Sequence, residues 1–267
     1  MANIVPPELT EAQRAAYNQQ VMADRTRTID QIKRLYAVVM GFALTTCFAN
    51  MYQCAKIIDI FSSYSIILVA QGVAFVTLIL LFYLGAERLF DNRYLRVESR
   101  VPRRSGLLID LFTSGATAVW FVILADTFPD AMKYNNQESM EAALAHNISF
   151  FAVNLLLLYI VDSFFLIIQI WRTYRQRTGD FNLMIRHHWF WFILNLLGVI
   201  LLYPVIINFP NHSVANSLSI LIPQWVVPVF NNYLYLSVYI LTLHMVRFIA
   251  DYWYAFRSYY PPDERTN

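Results

Sequence analysis

The sequence predicts an all-α integral membrane protein. Six transmembrane helices are expected, with both ends cytoplasmic and a cytoplasmic N-terminal helical extension. Three observations carry this prediction: the composition, six apolar runs of spanning length, and a lopsided distribution of basic residues. Of 267 residues, 58% are hydrophobic and only 14% charged, and the mean hydropathy is +0.43. A soluble domain carries about 25% charged residues, so the polar surface such a fold shows to water is missing here. Apolar runs cover 36–52, 64–86, 106–127, 148–171, 189–208 and 229–250. Each approaches the ~20 residues that cross ~30 Å of hydrocarbon. Backbone groups at that depth must bond within the protein, which leaves helices or a closed barrel. The ~10-residue alternating strands of a barrel do not occur in the sequence.

The basic residues set the orientation. Arg14, Arg25, Arg27, Lys33 and Arg34 precede the first run. Arg88, Arg93, Arg96, Arg100, Arg103 and Arg104 lie between the second and third. Arg172, Arg175, Arg177 and Arg186 separate the fourth and fifth, and Arg247, Arg257 and Arg265 close the chain. Of the 20 Lys and Arg residues, the only two in alternate loops are Lys56 and Lys133. By the positive-inside rule both termini and the basic loops face the cytoplasm. Trp171, Trp189, Trp191, Trp253 and Tyr254 at inner ends, and Trp225 near an outer one, read as interfacial anchors. A net charge of only +2, divided by membrane spans, excludes a nucleic-acid surface.

Three segments follow: residues 1–34, a cytoplasmic helix continuing into the first span; 35–256, the six-helix bundle; and 257–267, a cytoplasmic tail. The first twenty residues lack the apolar core and cleavage site of a signal peptide, so insertion is expected to rely on the first span. After Pro6-Pro7, Thr10 is placed to cap a helix free of Gly and Pro through residue 34. Cys47 and Cys54, seven residues apart on that helix, are ~10 Å apart by rise, too far to bridge. The loop 87–106 mixes Arg with Asp and Glu and reads as an amphipathic stretch at the inner lipid surface. The loop 128–147 is the largest outer piece. Asn147-Ile148-Ser149 and Asn211-His212-Ser213 match the glycosylation pattern. Residues 211–230, apolar but broken by Pro223 and Pro228, read as an interfacial helix, with a re-entrant half-helix as the alternative.

Each span also carries polar residues. Asp162 stands inside the fourth, where a carboxylate costs about 2.5–3.5 kcal/mol on insertion scales. At 100° per residue, Asn154, Asp162 and Gln169 fall within an arc of about 80°, so one face of that helix is polar along its length. Asp110, Thr113, Ser114 and Thr117 form a stripe on the third, beside Gly115, Ala116 and Ala118, which favour close packing. Thr46, Asn50 and Gln53 share a face of the first span, and Asn195 stands alone in the fifth. His244, Arg247 and Asp251 share a face of the sixth, Arg247 and Asp251 at ion-pair spacing. His244 and Arg247 lie near enough to the inner interface to snorkel. Arg88 ends the second span on the same side as Asp110.

The candidate site residues are therefore Asp162, Asn154, Gln169, Asp110, Ser114, Asn195, His244 and Arg247, read as intramembrane polar or transport residues. No catalytic set, metal spacing or phosphate loop is evident, nor is a voltage sensor or a potassium-type filter. A bis-histidine haem site from His187 or His188 with His244 is conceivable, but adjacent histidines at a helix start read better as interfacial. No cofactor is expected. The pattern suggests an oligomeric channel or transport protein of a plasma or bacterial inner membrane, with lipid and further copies as partners. The alternative is a non-catalytic accessory or anchoring subunit, docked on a partner membrane subunit through its N-terminal helix and basic loops. With Cys47 and Cys54 replaced by Ala, Arg100→Cys and Asn136→Cys should react with an impermeant maleimide from opposite sides of sealed vesicles. Labelling of both from one side would refute six spans.

Overall fold

The computed structural model describes residues 10–95, 104–134, 136–176, 181–207 and 232–259. Six helices account for most of them: α1 (Glu11–Ala55), α2 (Ser63–Phe90), α3 (Arg104–Ala125), α4 (Gln137–Gln176), α5 (Phe181–Ile207) and α6 (Tyr233–Tyr259). A π turn, Asp91–Leu95, extends α2, and a short 3-10 turn, Ala131–Lys133, precedes α4. No strand occurs among the described residues. All six helices are long and apolar enough to cross a membrane.

The start of α1 follows from its first residues. Gln13 N donates to Thr10 Oγ1 at 3.3 Å, and Thr10 N donates to Gln13 Oε1 at 3.0 Å. This reciprocal box satisfies two backbone donors that a helix start leaves open. No Gly or Pro interrupts the chain before Gly41, so the polar half runs straight into the apolar half over 45 residues. At 1.5 Å per residue the rod is about 68 Å long, twice the thickness of a hydrocarbon core. Residues 15–20 are exposed throughout, and packing first buries a side chain at Ile29, against Phe90 and Tyr94.

Helix α2 is central. In its most apolar stretch 67% of residues are buried, against 22–39% for the other five. It lies along α1 and α6, while α4 pairs with α5 and α1 with α3. A chain of edge-to-face aromatic rings fills one half of the bundle. Phe75 meets Phe121 and Phe128, Phe128 meets Phe151, and Phe82 meets Phe121 and Trp191. Each pair contributes about 0.5–1.5 kcal/mol beyond its burial. At that end Asn50 Nδ2 donates to Phe128 O at 3.4 Å, Cys54 Sγ to Pro129 O at 3.3 Å, and Gln71 Nε2 to Thr127 Oγ1 at 3.4 Å. Cys47 and Cys54 are both free and buried.

The outside of the bundle is as apolar as its core. Leu35, Val38, Phe42, Phe112, Phe164, Val246 and Ile249 are all more than half exposed. Water disfavours such a continuous apolar jacket, whereas lipid tails match it. A polytopic membrane protein is the class these six helices fit.

Several details depart from the sequence reading. Helix α4 begins at Gln137, well inside the expected outer loop, because Asn136 caps it (Ser139 N to Asn136 Oδ1, 2.8 Å) and Met140 and Leu144 pack on the core. Asn147 therefore lies within a helix, a poor setting for a glycosylation acceptor, which needs an exposed loop. Gly115 is exposed, with open space where a Cβ would stand, so it mediates no packing within this chain. Trp191 is buried rather than interfacial, whereas Trp171, Trp189 and Trp253 are largely exposed. The segment 211–230, with Asn211 and Trp225, lies outside the described residues.

Candidate functional site

At the basic end, the helix termini are tied together by charge. Lys33 on α1 meets Asp91 of the π turn at 2.5 Å, and Arg88 at the end of α2 meets Asp251 on α6 at 3.0 Å. This assigns Arg88 to Asp251. The expected Arg247–Asp251 pair is replaced, because Arg247 is turned toward α4 and α5.

The most heavily bonded residue in this region is Asp110, which is 0% exposed. The π turn adds a residue to the end of α2 and aims Arg93 and Tyr94 inward, where both are buried. Arg93 Nη1 donates to both Asp110 oxygens at 3.1 and 3.0 Å. Arg172 Nη1, from the last turns of α4, donates to Oδ1 at 2.6 Å, and Gln169 Nε2 to the same oxygen at 2.7 Å. The Tyr94 hydroxyl donates to Oδ2. Burial first, and then the Asp110 carboxylate, push the Tyr94 pKa above the ordinary phenol value, so it remains a donor. Gln169 Oε1 accepts from Arg93 and, at 3.2 Å, from Arg172, while Arg93 Nη2 reaches Thr173 Oγ1 at 3.4 Å. One carboxylate thus faces two guanidiniums. Arg93 and Arg172 do work that no property of an inner-surface loop foretold.

Deeper along α4, Asp162 heads a second network. Asn195 Nδ2 on α5 donates to Asp162 Oδ2 at 2.5 Å, and Arg247 Nη2 on α6 donates to Asn195 Oδ1 at 2.5 Å. The amide is thus oriented with its dipole between opposite charges. The Arg247 guanidinium lies over the Tyr159 ring, its Cζ 4.0 Å from the centroid, a favourable placement for a cation on a π face. Tyr159 Oη lies 2.7 Å from His244 Nε2, and His244 Nδ1 lies 2.7 Å from Ile240 O. A carbonyl can only accept, so Nδ1 carries the proton and Nε2 accepts from Tyr159. Both ring nitrogens of His244 are thereby used within the bundle. His244 and Arg247 are buried and do not snorkel. Gly198 makes room for this arrangement: a Cβ there would stand 2.7 Å from the Tyr159 ring.

The eight predicted residues therefore divide. Asp162, Asn195, Arg247 and His244 join one network, and Asp110 and Gln169 the other. Ser114 lines a cavity between them. Asn154 stands apart: its side-chain Nδ2 donates to Phe150 O at 2.9 Å, and its main-chain carbonyl accepts from Trp120 Nε1 at 3.1 Å. The expected polar face of α4 is thus interrupted rather than continuous.

The cavity measures about 90 Å³ and is lined by Asp162, Gln169, Thr113, Ser114, Thr117 and neighbouring aromatic groups. Asp162 is half-buried because this space touches it. His187 and His188 also line it, buried rather than interfacial. Sequence periodicity alone did not reveal them, although two histidines opening an apolar helix were the available signal. Among the described residues no group of three or more His, Cys, Asp or Glu is arranged to hold a metal ion. No family model, curated protein or solved structure matches this chain.

Asp110→Ala should lower stability by about 3–5 kcal/mol, because it leaves two buried guanidiniums without their carboxylate. Asp110→Asn, which keeps the shape, should cost less. Unfolding in detergent micelles would measure both, and a loss below about 1 kcal/mol for Asp110→Ala would show that the knot is not structural.

Proposed function

We propose that this chain is a multi-pass membrane transport protein with both ends cytoplasmic, and that the cavity at Asp162 is where its solute is held. The plasma membrane or a bacterial inner membrane is the natural setting for the basic-residue pattern. One observation carries the reading: a carboxylate that is expensive to place in hydrocarbon lines a partly open cavity between helices instead of being fully paired. Helix–helix adhesion alone needs no such space. The aromatic rings between Phe75 and Phe151 close the far half of the bundle. That favours a carrier caught sealed on one side over an open pore within a single chain.

The test is solid-supported membrane electrophysiology on proteoliposomes, with jumps in pH, Na⁺, K⁺ and small organic cations. Wild-type protein should give currents that Asp162→Asn abolishes or shifts in pH dependence while still folding. Asp162→Leu should also destabilise, since Asn195 loses its acceptor. Currents unchanged in Asp162→Asn, or none for any ion, would remove the reading.

A second reading, an accessory or anchoring subunit, is favoured by the start of α1, where exposed residues 15–20 project beyond all packing. A docked partner or a second copy would give that rod a purpose. Deleting residues 1–25 should then reduce oligomer or complex yield with insertion unchanged. Assembly that survives the deletion would make the rod a solvated extension.

A further inference from the structure

We infer that the cavity binds a small protonated amine. The inference rests on the reading that this cavity is the solute site, and it names the chemistry of the solute.

The wall contains one carboxylate, Asp162, and neither Lys nor Arg. Asp162 Oδ2 is taken by Asn195, while Oδ1 has no hydrogen-bond partner among the described residues. Arg247 answers the charge only through the Asn195 amide, so no guanidinium touches the carboxylate. An ammonium N–H at Oδ1 would complete it with a charge-assisted bond.

The rest of the wall selects the kind of cation. Tyr36, Phe82 and Trp191 present aromatic surface, which suits an organic ammonium. A bare metal ion needs about six or more oxygen ligands, and the wall has no such cage. The volume of about 90 Å³ is smaller than the ~150 Å³ of a cavity that holds benzene, so the solute is small. Gly85 helps to keep the space open, because a Cβ there would press on Trp191 at 3.1 Å.

Isothermal titration of the full chain in detergent tests this, with ethanolamine as the probe and ethylamine, ethylene glycol and NaCl as comparators. Ethanolamine should bind about tenfold or more tightly than ethylene glycol or Na⁺, a difference of about 1.4 kcal/mol. Asp162→Asn should weaken it by about tenfold or more. Ethylamine, which carries the same ammonium, should bind within about tenfold of ethanolamine. Ser114→Leu, which fills the cavity from α3 without touching either network, should abolish binding and decides the matter if Asp162→Asn does not fold. Equal binding of Na⁺, binding indifferent to Asp162→Asn or Ser114→Leu, or no amine binding at millimolar concentration would overturn the inference. Amine binding without currents would leave this site standing and remove the transport reading. Proton or Na⁺ currents without amine binding would do the reverse.

Discussion

One carboxylate with two guanidiniums holds the basic end of this bundle together. Asp110 starts on α3, Arg93 arrives from the π turn after α2, and Arg172 closes from the end of α4. In a low-dielectric interior each of these groups alone costs several kcal/mol. Together, with Gln169, Tyr94 and Thr173 bonding into the same cluster, they fix three helix ends at one point. The position of Gln169 follows from this knot, and so does the floor of the cavity that Gln169 lines.

The grouping of the polar groups is the one that hydrocarbon surroundings favour. Lipid tails are as apolar as Leu, so an inward apolar face gains little over an outward one, and packing and hydrogen bonds decide which helices meet. The bundle therefore wears Phe and Val outside and keeps Asp, Arg and His within. Its two halves differ. One is built mainly of packed aromatic rings, from Phe75 to Phe151. The other holds both charged networks and the space between them.

Much of the fold was legible in the sequence, because spanning length and apolarity are properties of contiguous residues. The six runs and the cap at Thr10 could be read directly. The inward placement of Asp162 followed from the cost of its charge. Its partner Asn195 was legible only as a lone polar residue, since a bond across 33 positions depends on how α4 and α5 are rotated against each other. Arg93 was read as loop because the extra residue of a π turn leaves no periodic trace. His187, His188 and Trp191 were read as interfacial because residue type and position near a helix start suit the headgroup region equally well. Arg247 and Asp251 had ideal spacing for each other, yet each found its contacts on a neighbouring helix. Spacing along one helix says which contacts are possible, and packing between helices chooses among them.

The uninterrupted course of α1 has a mechanical consequence. Tyr36 lines the cavity and stacks on Tyr83 of α2, with ring centroids 6.2 Å apart. It stands on the same helix as Glu11, about 38 Å away at 1.5 Å per residue, with no Gly or Pro joint between them. A helix without a joint couples its ends, so α1 is the one continuous element that joins the exposed tip of the chain to the Tyr36 ring at the cavity.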